Sequence, residues 1–124
     1  MKFWNSRIGR VRLAALLLFL AVTLGAFGAH GLEDKISAER MEVWKTACLY
    51  QLIHALALFV VGRFEKPVGY LFFLVGIILF SGSLYLLVLT DTPWLGAITP
   101  FGGGALLLGW LRWILAKKSW IEPH

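Results

Sequence analysis

VGYLFFLVGIILFSGSLYLLVLT, residues 68–90, runs without one Asp, Glu, Lys or Arg. At about 1.5 Å of helical rise per residue, a stretch this long outreaches the roughly 30 Å of hydrocarbon in a bilayer and crosses it with some tilt. Pro67, just ahead, suits the first turn of such a helix.

Three further apolar stretches flank this one. Residues 13–32 match the bilayer thickness. Residues 46–62 are near the short limit for a span, but Ser37 is a natural N-cap with Glu39 in the first turn, so this helix is expected to start near 38 and run into the membrane. The last stretch contains Thr99-Pro100. A residue before proline avoids helical geometry, which predicts Thr99 as N-cap, Pro100 in the first turn, a helix over 99–117 and an outer loop over 91–98. The expected fold is an all-α integral membrane protein, a four-transmembrane-helix bundle in one domain.

Composition agrees. Of 124 residues, 59% are hydrophobic and 15% charged, too apolar for a soluble domain of this size to bury. The net charge of +5 sits at the ends of apolar runs and does not interleave with aromatics, so no nucleic acid is expected as a partner. The one cysteine, Cys48, lies within an apolar run and reads as a packing residue. Basic residues, an apolar run and Ala26-Phe27-Gly28 also resemble a secretory signal, but the run continues past that point and a retained first helix is expected.

Lys2, Arg7, Arg10, Arg12, Arg63, Lys66, Arg112, Lys117 and Lys118 fall on one side of this topology; Lys35, Arg40 and Lys45, mixed with acidic residues, fall on the other. The positive-inside rule then predicts both termini in the cytoplasm. Trp4, Trp44, Trp94, Trp113 and Trp120 lie near expected interfaces, with Trp110 somewhat deeper.

Helices in lipid associate through small residues and polar contacts. Ala21, Gly25 and Ala29, with Gly28 beside them, form such a stripe; Gly69, Gly76 and Ser83, with Gly82, form another; Gly102, Gly103, Ala105 and Gly109 form a third. In the second helix Ala47, Cys48, Gln51, His54, Ala55, Leu58 and Gly62 share one face. Such stripes serve a single bundle or a homo-oligomer equally.

The polar intramembrane residues His30, Gln51, His54, Ser81, Ser83, Tyr85 and Thr99 gather in the outer half, leaving dry packing in the inner half. They read either as hydrogen-bonded glue or as a small-molecule or ion site. Haem ligation by the two histidines is disfavoured, because His30 and His54 differ by about 9 Å in depth. A proton relay through His54, Gln51 and Tyr85 lacks an intramembrane carboxylate. Thr99 to Gly104 could offer backbone N–H groups to an anion, although packing is the preferred role of these glycines. No nucleophile–base pair, phosphate loop or metal-ligand cluster stands out, so neither enzymatic activity nor a cofactor is expected.

Four ordered motifs carry a family resemblance: Gly25-Ala26-Phe27-Gly28-Ala29-His30-Gly31-Leu32; Trp44 with Thr46-Ala47, Tyr50-Gln51 and His54-Ala55-Leu56-Ala57-Leu58; Phe80-Ser81-Gly82-Ser83-Leu84-Tyr85; and Thr99-Pro100 with Gly102-Gly103 and Gly109-Trp110. Over nearly the whole chain they resemble the domain of unknown function 423 family, small membrane proteins that include transmembrane protein 256. The resemblance implies a multi-helix protein of the bacterial inner membrane and no particular activity. Lys45 stands where many relatives are expected to carry glutamate. The functional expectation is a non-enzymatic scaffold or accessory subunit binding lipid, other membrane proteins or copies of itself; the alternative is a small permease or channel with its polar site in the outer half.

Overall fold

The computed structural model describes residues 6–122, so Lys2 and Trp4, named above for topology and interface, lie outside the described residues. Helix α1, Arg7–Phe27, starts ahead of the apolar run at 13, opened by the Ser6 hydroxyl accepting the Gly9 N–H at 3.3 Å. It continues into a π-helical turn, Gly28–Leu32. Helix α2, Ala38–Val61, is capped by Ser37, whose side chain accepts the Arg40 N–H at 3.1 Å. Helix α3, Tyr70–Thr90, is followed by a 3₁₀ turn, Pro93–Ala97, and by α4, Thr99–Ile114; a short α5, Lys118–Ile121, completes the described chain. Four segments, Arg7–Leu32, Ala38–Val61, Tyr70–Thr90 and Pro93–Ile114, are long and apolar enough to cross a membrane.

Two helix starts differ from expectation. Pro67 lies outside α3, which begins after Gly69 in the left-handed region at φ 78°. Glycine suits this position twice over: it takes the positive φ without strain, and an added Cβ would lie 3.1 Å from the Gly109 carbonyl oxygen. Thr99 is inside α4, with Ile98 at the cap position and no side-chain cap bond. The preceding 3₁₀ turn already aims the backbone into the helix, and Pro100, in the first turn, has no N–H to orphan.

The helices pack in chain order, α1 on α2, α2 on α3 and α3 on α4, with no comparable α1–α4 interface among the described residues. Alternate helices therefore point the same way. The terminal end of the bundle carries the two described chain ends and the 62–69 connection. The distal end carries the 33–37 turn and the 91–98 connection.

The main core joins Ala14, Ala55, Leu58, Val61, Tyr70, Phe73, Ile77 and Leu106 across all four helices. A smaller one at the distal end holds Leu32, Trp44 and Val88. In α2 the face named from sequence is the inward one, with Ala47, Gln51, His54, Ala55 and Leu58 buried and Leu49, Leu52, Ile53, Leu56 and Val60 exposed. Along α1 and into the π turn, Ala14, Ala21 and Gly28 are buried at seven-residue intervals, with Gly9 buried near the helix start, while Ala29 is exposed. A seven-residue repeat keeps one stripe against a neighbour at a small crossing angle, whereas the four-residue repeat of Ala21, Gly25 and Ala29 rotates away from it.

Glycines that are buried do close work. Added Cβ atoms would lie 2.3 Å from Trp44 Nε1 at Gly28, 2.4 Å from Leu106 Cδ2 at Gly76, 2.3 Å from the Phe80 backbone nitrogen at Gly102 and 2.6 Å from Phe73 Cε1 at Gly109. By contrast Gly25 and Gly82 meet nothing within 4 Å, and at Gly103 a Cβ would touch only the Phe80 ring, at 3.8 Å. These three do not enforce helix contact.

Candidate functional site

The polar residues form several stitches between helices, one or more at each interface, rather than lining one chamber. Gln51 projects from the inward face of α2 and bridges both neighbours: its Nε2 donates to the Leu17 carbonyl of α1 at 2.8 Å, and its Oε1 accepts from the Tyr85 hydroxyl of α3 at 2.6 Å. One helical turn away, Ser81 of α3 donates to the Ala47 carbonyl of α2 at 2.7 Å. A helical carbonyl has a second lone pair, so it can accept such a bond without surrendering its own i+4 N–H.

On the other side of α3, Ser83 Oγ and Thr99 Oγ1 of α4 lie 2.7 Å apart, and Ser83 Oγ is 3.0 Å from the Phe80 carbonyl. With Ser83 donating to that carbonyl, Thr99 donates to Ser83. The Thr99 hydroxyl thus joins two helices instead of capping its own. Gly102 beside it is pressed against the Phe80 backbone, leaving no room for an anion at that glycine.

The third stitch was not legible in the sequence. His54 Nδ1 lies 2.8 Å from the Tyr50 carbonyl, and the Trp110 indole donates to His54 Nε2 at 3.0 Å. An indole N–H can only donate, so Nε2 is the accepting nitrogen and Nδ1 carries the proton given to Tyr50. Both ring nitrogens of the neutral imidazole are then engaged. Aromatic edges enclose the pair: Trp110 lies 5.8 Å from the imidazole and 4.7 Å from the Phe73 ring, centroid to centroid. Gly109, next to Trp110 and pressed on Phe73, was the available signal that this part of α4 is held tightly.

Trp44 departs furthest from its expected place. It is 1% exposed, its indole donates to the Leu24 carbonyl at 2.9 Å, and its ring meets Tyr85 edge-on at 4.8 Å. A buried tryptophan must find an acceptor for its N–H, and Gly28 clears the space beside it. Trp94, in contrast, is exposed. His30 also departs from the expected cluster: it lies exposed in the π turn, apart from Gln51 and His54. At about 100° per residue His30 falls about 200° round from buried Gly28, on the outward side, while Leu32 falls about 40° from it, on the inward side. Cys48 is half-buried beside the distal core.

Arg10, read from sequence as one of many topology charges, is 4% exposed. Its Nε donates to the Gly62 carbonyl at 3.1 Å and its terminal nitrogen to the Phe64 carbonyl at 3.0 Å, while the Tyr70 hydroxyl donates to the Arg10 carbonyl at 2.8 Å. The apolar core thus ends in a polar clamp. At the opposite end the Arg40 guanidinium donates to the Val88 carbonyl and approaches the Asp91 carboxylate at 3.8 Å, closing α3.

The His54–Trp110 bond carries a measurable consequence. Trp110→Phe keeps an aromatic ring against Phe73 but removes the donor, and is expected to lower stability by about 1 kcal/mol, the usual scale of interhelical hydrogen bonds in membranes. A double-mutant cycle with His54→Phe in detergent-micelle unfolding checks it. Additive losses would mean that the bond contributes nothing.

Known proteins place these features in a family. The family described as "Protein of unknown function (DUF423)" matches residues 24–103. A UPF0382 membrane protein of Staphylococcus epidermidis is 48% identical over 111 residues, covering 84% of this chain and 90% of the relative. UPF0382 membrane protein YwdK of Bacillus subtilis is 45% identical over 118 residues, covering 88% and 95%. UPF0382 membrane protein SAUSA300_0565 of Staphylococcus aureus is 49% identical over 111 residues, covering 84% and 90%. No solved structure matches. The apolar spans, the polar stitches within the matched segment and the extent of these similarities together mean that the chain belongs to the DUF423 family of membrane proteins, a family of unknown function.

Proposed function

We propose that the chain is a non-enzymatic scaffold or accessory subunit of the bacterial inner membrane, with both termini in the cytoplasm. One observation carries this: apart from His30, the polar intramembrane residues named from the sequence are engaged in bonds that hold the helices together. Both ring nitrogens of His54, both ends of the Gln51 amide and the hydroxyls of Ser81, Ser83, Tyr85 and Thr99 bond to neighbouring helices or to backbone. Groups so engaged are poorly placed to carry a solute or a proton. What the bundle offers outward is apolar, including Leu16, Phe19 and Val22 of α1 and Phe101, Leu107 and Ile114 of α4. Partners in the bilayer plane, other membrane proteins or further copies of this chain, would meet those faces.

The orientation draws on charge. Among the described residues, the terminal end carries Arg7, Arg10, Arg12, Arg63, Lys66, Arg112, Lys117 and Lys118 against Glu65 and Glu122, and the distal end carries more acidic than basic residues. Reporter fusions at each terminus should both read cytoplasmic. Purified protein in liposomes should pass ions and small solutes no faster than empty liposomes. Solute-specific flux abolished by His54→Ala would overturn the scaffold reading in favour of a permease.

A further inference from the structure

At the terminal end a cleft of about 550 Å³ opens beside the start of α3, lined by Lys66, Gly69, Leu71, Phe72, Arg112 and Trp120 among others. Along the face between α3 and α4 runs a larger groove of about 1110 Å³, lined by Val75, Phe101, Leu108 and Ile114 and by Leu71 and Phe72 again. The two shared residues make cleft and groove one continuous surface, cationic at one end and apolar along its length. We propose that this surface binds one anionic phospholipid, its phosphate against Lys66 and Arg112 and its acyl chains along the α3–α4 groove.

Charge selects this occupant. Lys66 and Arg112 are exposed at the cleft, and the buried guanidinium of Arg10 adds a third positive charge to its wall. The acidic residue there, Glu65, is held by Arg7 at 3.0 Å, which offsets it. The Arg112 guanidinium carbon lies 5.8 Å from the centre of the Trp120 ring, a cation–π contact that sets Arg112 beside an indole suited to headgroup depth. Basic pockets between transmembrane helices recognise anionic headgroups in this way. A choline headgroup would set its own cation among these. A second copy docked by a twofold axis along the membrane normal would bring Lys66 and Arg112 against their equivalents, at a cost in like-charge repulsion. The cleft and groove are separate from the polar stitches, so lipid occupancy does not rest on the scaffold reading.

The test is native mass spectrometry of the full chain released from micelles containing equimolar phosphatidylglycerol and phosphatidylcholine. The wild type should retain one phosphatidylglycerol in preference to phosphatidylcholine. The Lys66→Gln/Arg112→Gln variant should lose about thirtyfold of that preference, the scale expected for two cations at a membrane surface. Lys35→Gln/Lys45→Gln, an equal charge change at the distal end, should leave the preference intact. Leu108→Trp, which fills the groove without touching the cleft, should weaken retention, and glycerol 3-phosphate at the same concentration should not displace the lipid. Circular dichroism of each variant confirms an intact helical fold. Equal retention of the two lipids, an unchanged preference in the double variant, or displacement by glycerol 3-phosphate would each overturn the assignment.

Discussion

Gly102→Ala is expected to lower the stability of the protein by about 3 kcal/mol, at the upper end of what overpacking usually costs. The new methyl would lie 2.3 Å from the Phe80 nitrogen, 2.7 Å from the Leu79 carbonyl carbon and 2.7 Å from the Phe80 Cα. All three are backbone atoms, so no side chain can swing aside and the helices themselves must part. Parting them stretches the Ser83–Thr99 hydrogen bond and loosens Leu106 from Gly76, because both contacts bridge the same α3–α4 interface. Gly104 supplies the control from the same helix. An added Cβ there meets nothing within 4 Å, so Gly104→Ala should be neutral or stabilise by up to about 1 kcal/mol through helix propensity. Reversible unfolding of both variants in mixed micelles reads the difference directly. Equal stability changes at the two positions would show that α3 and α4 do not approach as closely as the structure has them.

Such contrasts between neighbouring glycines mark where sequence stops being informative. The four spans follow from length and apolarity, and the inward face of α2 follows from Gln51 and His54, because polar atoms in lipid must turn toward partners. No comparable signal orients α1. Its exposed and buried faces are both apolar, so Gly25 and Gly28 look alike, yet only Gly28 lies against Trp44. The candidate site was legible in part. Gln51, Tyr85, Ser81, Ser83 and Thr99 all join neighbouring helices, but the partner of His54 is Trp110, whose single polar atom is overlooked in a residue that also marks interfaces. Trp44 shows the same ambiguity: an indole near a predicted boundary can face headgroups or a backbone carbonyl, and only packing decides.

Arg10 carries that ambiguity into charge, and its replacement should have the second large effect. An arginine near a helix end satisfies the positive-inside rule wherever its side chain points, so its clamp on the 62–69 connection leaves no trace in composition. The guanidinium forks between the Gly62 and Phe64 carbonyls, joining α1 to a connection more than fifty residues away in the chain. Tyr70 closes the circuit from α3 onto the Arg10 carbonyl. Arg10→Met fills similar volume but leaves those carbonyls without their charged donor, for an expected loss of about 3 kcal/mol. Arg10→Lys keeps the charge but cannot present the same planar fork, and should recover only part of that loss. Arg12→Met removes one charge from the same end of the same helix, at an exposed position, and should change stability by less than about 0.5 kcal/mol. Unfolding of the three variants in micelles, with terminal reporters to confirm unchanged topology, separates the two roles of arginine here. If Arg10→Met and Arg12→Met proved equally mild, Arg10 would act only as one more charge at the membrane surface. A loss confined to Arg10, partly restored by lysine, would make it the clasp that holds the α2–α3 connection against α1.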